Sequence, residues 1–372
     1  MEKPFTVRDI AEKAGVSLGT VSRVLNNAAN IDPKLREQTL AVIRANHYVP
    51  LRRPRRSSRR NPAEGGRIGV LFYDTRNGWK DSYFARSYAA GIEAVCGAYR
   101  AETQFFTLDD LGGDAFFRRL ARFDGLLIKH NFGPNEPGCE RLNALAEVIP
   151  VVGFGTNYPH CRYSQVFLDN RSAGAIAARE LIGRGHRVIA FINHNPESEM
   201  FRSRGEGFRE AMMQAGLWRP ELFISRKFAT VAAPSPDPVP PLLDKTLERF
   251  LSYPERVTAV VVANDWGCVG LYRACIGRGI RIPQDLSILG FDNQISICAS
   301  LHPPLSSIHN PLDEIGKMAA IELFSRIDAA KRELTLPISN RMLSGTLVER
   351  GSLCTLNLTA DHHLIIKGET IL

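Results

Sequence analysis

Residues 6–26 read Thr-Val-Arg-Asp-Ile-Ala-Glu-Lys-Ala-Gly-Val-Ser-Leu-Gly-Thr-Val-Ser-Arg-Val-Leu-Asn, two short stretches of helical periodicity on either side of Gly15-Val16. Thr6 is placed to cap the first helix, and Asp9, three residues on, to answer it as in a capping box. Ile10, Ala11 and Ala14 form the apolar stripe of that helix. Ser17 is placed to cap a second helix whose stripe is Val21, Val24 and Leu25. Leu18, Gly19, Ser22, Arg23 and Asn26 then point outward. Two such helices about a tight turn make a helix-turn-helix, whose second helix enters the major groove of DNA. The DNA-facing set expected from this pattern is Thr6, Val7, Ser17, Leu18, Gly19, Thr20, Ser22, Arg23 and Asn26. Leu18 suits a thymine methyl, Gly19 a close approach, and Arg23 a guanine edge or a phosphate. For Thr20 and Ser22, capping or a phosphate contact serves equally well, whereas Val21 and Val24 read as core.

The charge follows the same division. The chain carries +8 in all, and residues 1–60, with 13 Lys/Arg against 5 Asp/Glu, hold the whole excess. A concentrated positive unit is the electrostatic footprint of phosphate binding. Taken alone, residues 52–60 fit a solvated basic tail, but that does not explain the helix-turn-helix before them.

At 372 residues the chain exceeds one ordinary domain, and a hydrophobic content of 44% supplies a sizeable core. No apolar run reaches the length of a membrane span, and the first residues show no apolar signal core. The seven cysteines are scattered without a Cys-x-x-Cys pair, which suggests reduced thiols in a cytoplasm. Cys268 and Cys275 share one helix face and read as buried thiols.

A third helix is expected from Asp32-Pro33, cap and first position, through Leu35, Leu40 and Ile43 to about Asn46. Pro50 and the stretch Arg52-Arg53-Pro54-Arg55-Arg56-Ser57-Ser58-Arg59-Arg60 lead into a linker that ends near Gly66. From Arg67 the texture changes to short apolar runs alternating with helical patterns. Strands are expected at 68–73, 125–128, 151–154, 188–192, 259–262 and 288–291, and helices at 83–99, 172–184, 203–215, 266–278 and 311–329. Repeated strand-helix-strand predicts doubly wound parallel sheets, and the length predicts two lobes. The organisation expected is therefore a head at 1–50, a basic hinge at 51–66, a two-lobed effector-binding and dimerisation core at 67–352, and a tail of unassigned role at 353–372.

The motif Thr-Val-Ser-Arg-Val-Leu-Asn at 20–26 is followed, in order, by Gly185-His186-Arg187, Arg204-x-x-Gly207-Phe208, Asn264-Asp265, Gly290-Phe291-Asp292-Asn293, Pro304-Leu305-Ser306-Ser307-Ile308 and Leu347-Val348-Glu349-Arg350. Over residues 5–352 the chain resembles the lactose/galactose repressor (LacI/GalR) family of transcription regulators. The resemblance implies an all-α head that reads operator DNA as half of a homodimer, with a tetramer as the larger alternative. It implies a core of two periplasmic-binding-protein-like (type I) lobes that hold a small molecule, usually a sugar, and move when it binds. The two positions after Ser17, which usually carry much of the base choice, are here Leu18 and Gly19.

Three features depart from the family pattern. Relatives follow the head with a hinge helix of the form Asn-x-x-Ala-Arg-x-Leu after a Pro; counted from Pro50, this chain has Leu51, Pro54 and Ser57 where Asn, Ala and Leu belong, and Arg55 alone matches. Pro54 discourages a helix that starts before it, and the apolar wedge for the minor groove is missing. An extended basic arm using Arg52, Arg53, Arg55 and Arg56 is expected instead. The loop after the first strand carries an apparent insertion, Thr-Arg-Asn-Gly-Trp-Lys-Asp, and about 20 residues follow Arg350.

In open parallel sheets ligands bind beyond the carboxyl ends of the strands. The effector candidates there are Asp74, Phe84, Asp169, Arg204, Asn264, Trp266 and Asp292, with Asp265 and Phe154 beside them and Arg202 in reserve. Carboxylates and an Arg suit polyol hydroxyls, and the aromatics suit a sugar's apolar face. Arg204 and Asp292 are expected on opposite sides of the cleft. A helix cap or surface ion pair is the competing reading for each carboxylate, and core packing for each aromatic; His186 reads as structural. The sequence shows no Ser-His-Asp order, no phosphate loop and no metal-binding spacing, so neither enzyme chemistry nor a cofactor is expected. A transport solute-binding protein would share the core but has no use for residues 1–60. A purine or a phosphorylated metabolite remains the alternative effector.

Overall fold

The computed structural model describes residues 6–25, 31–45, 66–72, 82–107, 114–130, 137–227, 241–358, 364–366 and 369–370. These fall into two compact units, one within residues 1–60 and one within 61–372. Asn26, Arg52, Arg53, Arg55, Arg56 and Asp74 lie outside the described residues, as does the insertion after the first strand.

The first unit is three helices, α1 (Val7–Lys13), α2 (Leu18–Leu25) and α3 (Pro33–Ala45). The capping box at its start is formed in both directions: Thr6 N donates to Asp9 Oδ2 at 2.6 Å, and Asp9 N donates to Thr6 Oγ1 at 3.4 Å. Gly15 takes φ 61°, in the left-handed region where a Cβ is costly, and this lets the chain reverse between α1 and α2. Ser17 Oγ accepts from Thr20 N at 3.1 Å, and Asp32 Oδ1 accepts from Lys34 N at 2.8 Å ahead of Pro33. Ile10, Ala11 and Val21 are buried, with Val7, Val16, Val42 and Ile43 packed around them. Full burial of a side chain such as Ile10 is worth about 1.5–3 kcal/mol, so this small cluster and the caps together hold the unit.

The second unit contains two six-stranded sheets. The first has the order β11-β5-β4-β3-β1-β2, built from β1 (Arg67–Phe72), β2 (Glu102–Thr107), β3 (Gly125–Lys129), β4 (Val151–Gly155), β5 (Ser164–Leu168) and β11 (Asn340–Leu343), all parallel. The second has the order β12-β10-β9-β8-β6-β7, built from β6 (Ile189–Asn193), β7 (Phe223–Ser225), β8 (Ala259–Val262), β9 (Ser287–Asp292), β10 (Ser306–His309) and β12 (Thr346–Val348). In this sheet only β12 runs antiparallel. The inner strands are buried along nearly their whole length and mostly apolar because helices cover both faces. Valines and isoleucines such as Val70, Ile128, Val152, Val260 and Ile288 accordingly have no exposed surface or almost none.

The chain passes between the sheets three times: through α7 (Asn170–Gly183) after β5, between β10 and α12 (Leu312–Lys331), and across the short link from β11 to β12. The helix α4 (Tyr83–Ala98) packs on α12, and α7 packs on α8 (Glu199–Gln214). The second pair is unusually close. A Cβ on Gly207 would lie 1.8 Å from the Arg171 carbonyl oxygen, and one on Gly174 1.9 Å from that of Arg204. Only glycine fits at either point.

The helices α5 (Asp114–Leu120), α6 (Pro137–Ala146), α9 (Pro241–Leu251), α10 (Asp265–Gly277) and α11 (Ile295–Cys298) complete the unit. The packing shows no break at residue 352. Cys354 N donates to Ser287 Oγ at 3.0 Å and Leu356 N to the Arg184 carbonyl at 2.7 Å. A small antiparallel sheet follows, with β13 (Leu356–Leu358), β14 (Leu364–Ile366) and β15 (Glu369–Thr370). Among the described residues, no helix is long and apolar enough to cross a membrane.

Candidate nucleic-acid surface and effector cleft

On α2 the two faces separate as the stripe requires. Val21 and Val24 are buried, Ser17, Leu18, Gly19 and Arg23 are exposed, and Thr20 and Ser22 lie between. Leu18 is 48% exposed although it is apolar. Thr6 is exposed with its hydroxyl engaged by Asp9. Val7, expected to face DNA, is half-buried and packs in part against the Ile10, Ala11 and Val21 cluster.

In the second unit, the polar groups gather where the strands of the second sheet end. Arg204, on α8, has no exposed surface. Its Nε donates to Asn170 Oδ1 at 2.9 Å, its Nη1 to the Ala263 carbonyl at 2.7 Å, and its Nη2 to Asp292 Oδ1 at 2.7 Å. Phe201 and Phe291 flank the guanidinium, with centroids 5.6 and 4.8 Å away. Arg204 and Asp292 therefore do not oppose each other across a cleft, as their chain positions suggested. They belong to one lobe and form a buried pair, since α8 lies over the end of β9. Asp292 has φ 97° and Asn293 φ 52°, left-handed conformations that are uncommon for side-chain-bearing residues. Arg350 Nη2 donates to Asn293 Oδ1 at 2.6 Å and Asn293 N donates to Ser307 Oγ at 3.0 Å, which hold this turn in place.

Asp265 sits beside this pair, almost wholly buried. Its Oδ2 accepts from Gln294 N at 2.7 Å and from Cys298 Sγ at 3.4 Å, and its Oδ1 accepts from Ser307 Oγ at 2.7 Å. Burial, and then the Asp292 carboxylate, push the Asp265 carboxyl up to about 7. From the first lobe, Tyr83 and Phe84 open α4 with their rings edge to face at 5.6 Å. Burial raises the Tyr83 phenol above its usual value, and the Asp265 and Asp292 charges add to this, which puts that hydroxyl within electrostatic reach of the opposite lobe's carboxylates. Tyr88, stacked edge-on against Phe154 at 5.2 Å, is also raised by burial first and by Asp292 next.

The remaining candidates divide. Asp169 caps α7, accepting from Ser172 N at 2.9 Å, and Asn264 caps α10, accepting from Gly267 N at 2.8 Å. Trp266 is half-buried in the first turn of α10, and Phe154 is core, packed on Phe72 at 5.6 Å. Arg202 points away, bonded to Glu199 at 2.8 Å and to the Pro196 and Glu197 carbonyls. His186 bridges Thr258 at 2.9 Å and the Cys354 carbonyl at 3.2 Å, a structural role. The sequence reading passed over Asn170, Tyr83 and His194. Each adjoins a residue that was considered or a strand end that was marked, and that adjacency was the available signal. Burial pushes the His194 imidazole down to about 4.

Residues 6–50 match the model of bacterial regulatory proteins of the lacI family, and residues 178–353 that of a periplasmic binding protein-like domain. The chain is similar to the ribose operon repressor of Haemophilus influenzae, 30% identical over 87% of this chain and 92% of the relative. It is also similar to the HTH-type transcriptional repressor PurR of Pectobacterium carotovorum, 31% identical over 93% and 96% of the two chains. Among solved structures, the complex of the transcriptional regulator CelR with cellobiose superposes with a TM-score of 0.65 at 25% identity, covering 94% of this chain and 100% of that one. A helix-turn-helix unit ahead of a two-sheet parallel α/β core of this kind defines a DNA-binding transcription regulator, not an enzyme. The chain belongs to the lacI family of bacterial regulatory proteins.

Proposed function

We propose that this regulator is a cytoplasmic repressor that binds operator DNA as a homodimer and lets go, or holds, according to a small sugar bound between its lobes. DNA contacts fall to Ser17, Leu18, Gly19, Thr20, Ser22, Arg23 and Asn26, with phosphates taken by the basic arm of Arg52, Arg53, Arg55 and Arg56. The sugar lies at the strand ends, with hydroxyls on Asp292, which the buried Arg204 guanidinium holds in place, and its apolar face toward Phe84 and Trp266. Asp74, two residues beyond β1 in the sequence, is a further candidate on its sequence position alone. Asp169 and Asn264 contribute through the helices they cap.

The observation that carries the reading is Asp292 at the end of β9, a carboxylate held by the buried Arg204 with Asp265 beside it, as an acceptor for sugar hydroxyls. The names of the ribose operon repressor and of the cellobiose complex support the sugar class. A purine base is the second reading, favoured by the similarity to PurR. Thermal denaturation with pentoses, hexoses, cellobiose and purine bases separates them. A ligand at 100 times its Kd adds about 2.7 kcal/mol of stability. Stabilisation by a purine base and by no sugar overturns the sugar assignment.

A further inference from the structure

Cys139 and Cys161 are far apart in the chain and together in the fold. Cys139 lies on α6, while His160 and Cys161 lie in the loop from β4 to β5. The two sulfurs and an imidazole nitrogen of His160 are all within 4.8 Å of one another. Both cysteines are buried and His160 is half-buried, so the cluster has one side toward solvent.

The surroundings hold these groups in place. Asn143 Nδ2 donates to Cys139 Sγ at 3.7 Å and to the His160 carbonyl at 3.3 Å, and its Oδ1 accepts from Arg162 N at 2.7 Å. One amide thus fastens the loop to α6 on both sides of Cys161. His130, at the end of β3, brings Nε2 to 3.5 Å from Cys161 Sγ, while the Tyr163 hydroxyl engages the same nitrogen at 2.7 Å. The His130 ring stacks on Tyr158 at 4.3 Å.

We propose that Cys139, His160 and Cys161 form a binding site for one thiophilic divalent cation of the zinc type, with the fourth position taken by a water. Zinc–sulfur bonds near 2.3 Å and zinc–nitrogen bonds near 2.0–2.1 Å place tetrahedral ligands about 3.4–3.8 Å apart, so the trio needs to contract by about 1 Å. Two thiolates and an imidazole select zinc over magnesium or calcium, which take oxygen ligands. Two thiolates also balance the 2+ charge, so the filled site carries no net charge in its buried setting. Cysteine ligates as the thiolate, so an incoming ion displaces the two thiol protons and binding releases them.

The test is titration of the full chain, reduced and stripped with chelator, with Co²⁺. One equivalent is expected to produce thiolate-to-cobalt absorption in the near ultraviolet, with tetrahedral bands in the visible; Zn²⁺ should displace it and release two protons per ion. Cys139→Ser and Cys161→Ser should each remove most of that absorption. His160→Ala alters a half-buried side chain and should weaken binding at least tenfold with little change in apo stability. Cys354→Ser, outside the cluster, should leave the signal intact. Absence of thiolate absorption at one equivalent, absorption that survives both cysteine substitutions, or unchanged affinity in His160→Ala would each overturn the proposal.

Discussion

Arg204 shows what a chain position can and cannot say about a side chain. Its place near the start of α8 was legible, but its partner was not, because Asp292 is 88 residues away and only the tertiary fold brings them to 2.7 Å. With no exposed surface, the guanidinium depends on Asn170, Ala263 and Asp292 for every interaction that replaces water. Removing one member of such a buried pair strands the other and costs about 3–5 kcal/mol. Arg204→Ala is therefore expected to lower the melting temperature markedly in the absence of any ligand, and Asp292→Asn to do so less, since an amide still accepts from Nη2. Equal and negligible effects of both substitutions in thermal melts would show that the pair is not structural. Asp169 and Asn264 carry the same ambiguity: an Asx residue between a strand end and a helix start serves as a cap or as a ligand, and the two roles share one sequence pattern. In the head the pattern was more informative, because a three-helix unit has so few ways to bury Ile10 and Val21. Arg23→Ala should cost on the order of 1–3 kcal/mol of specific operator affinity if the side chain reads a base edge. A loss of equal size on unrelated DNA would put it on phosphate.

At the scale of elements, legibility followed burial. The strand at Ala259–Val262 was found with its observed bounds because four consecutive apolar residues, covered on both faces, leave little else to be. Edge strand β2, Glu-Thr-Gln-Phe-Phe-Thr, and three-residue β7 escaped notice, since an edge strand tolerates polar residues and a short one has no period. β11 and β12 owe their existence to partners in β5 and β10 far back in the chain. The α7–α8 contact was likewise unreadable, although Gly207 was visible as part of a motif. It makes a clear prediction: Gly207→Ala places a methyl 1.8 Å from a carbonyl oxygen and must push α8 off α7, the helix that carries the chain between lobes. Its expected effect is a loss of stability beyond the roughly 1 kcal/mol that alanine ordinarily gains over glycine in a helix; a variant more stable than the parent in urea unfolding would refute the close contact. Residues 51–60 belong to this scale too. If Arg52, Arg53, Arg55 and Arg56 track phosphates, replacing all four with Gln should reduce the slope of log K against log salt by on the order of 3–4, at about 0.9 per neutralised phosphate. An unchanged slope would make the segment a plain tether.

For the whole molecule, acid stability is set by groups that the fold buries in opposite senses. Burial pushes His130, His186 and His194 each down to about 4, against about 6.5 for an unfolded histidine. Between these values the unfolded chain binds protons that the folded one refuses, so this stability is present above pH 6.5 and is lost as pH falls toward 4. Asp265 runs the other way. Its folded value of about 7 exceeds the unfolded value of 3.8, so the folded chain holds a proton that the unfolded one releases. That contribution is full at low pH and fades as pH rises through 7. From pH 4.5 to 6 the three histidines outweigh the one carboxyl, and unfolding should take up about two protons net. Asp265→Asn keeps a neutral, hydrogen-bonding group in place and deletes only the opposing titration. Its unfolding should take up about three protons, so stability measured by urea denaturation should rise more steeply with pH than in the parent, at about 1.4 kcal/mol per pH unit for the extra proton. Parallel curves for parent and variant would mean that Asp265 is ionised in the folded protein, and that the carboxylates at the strand ends of the second lobe share their charge with solvent and not with one another.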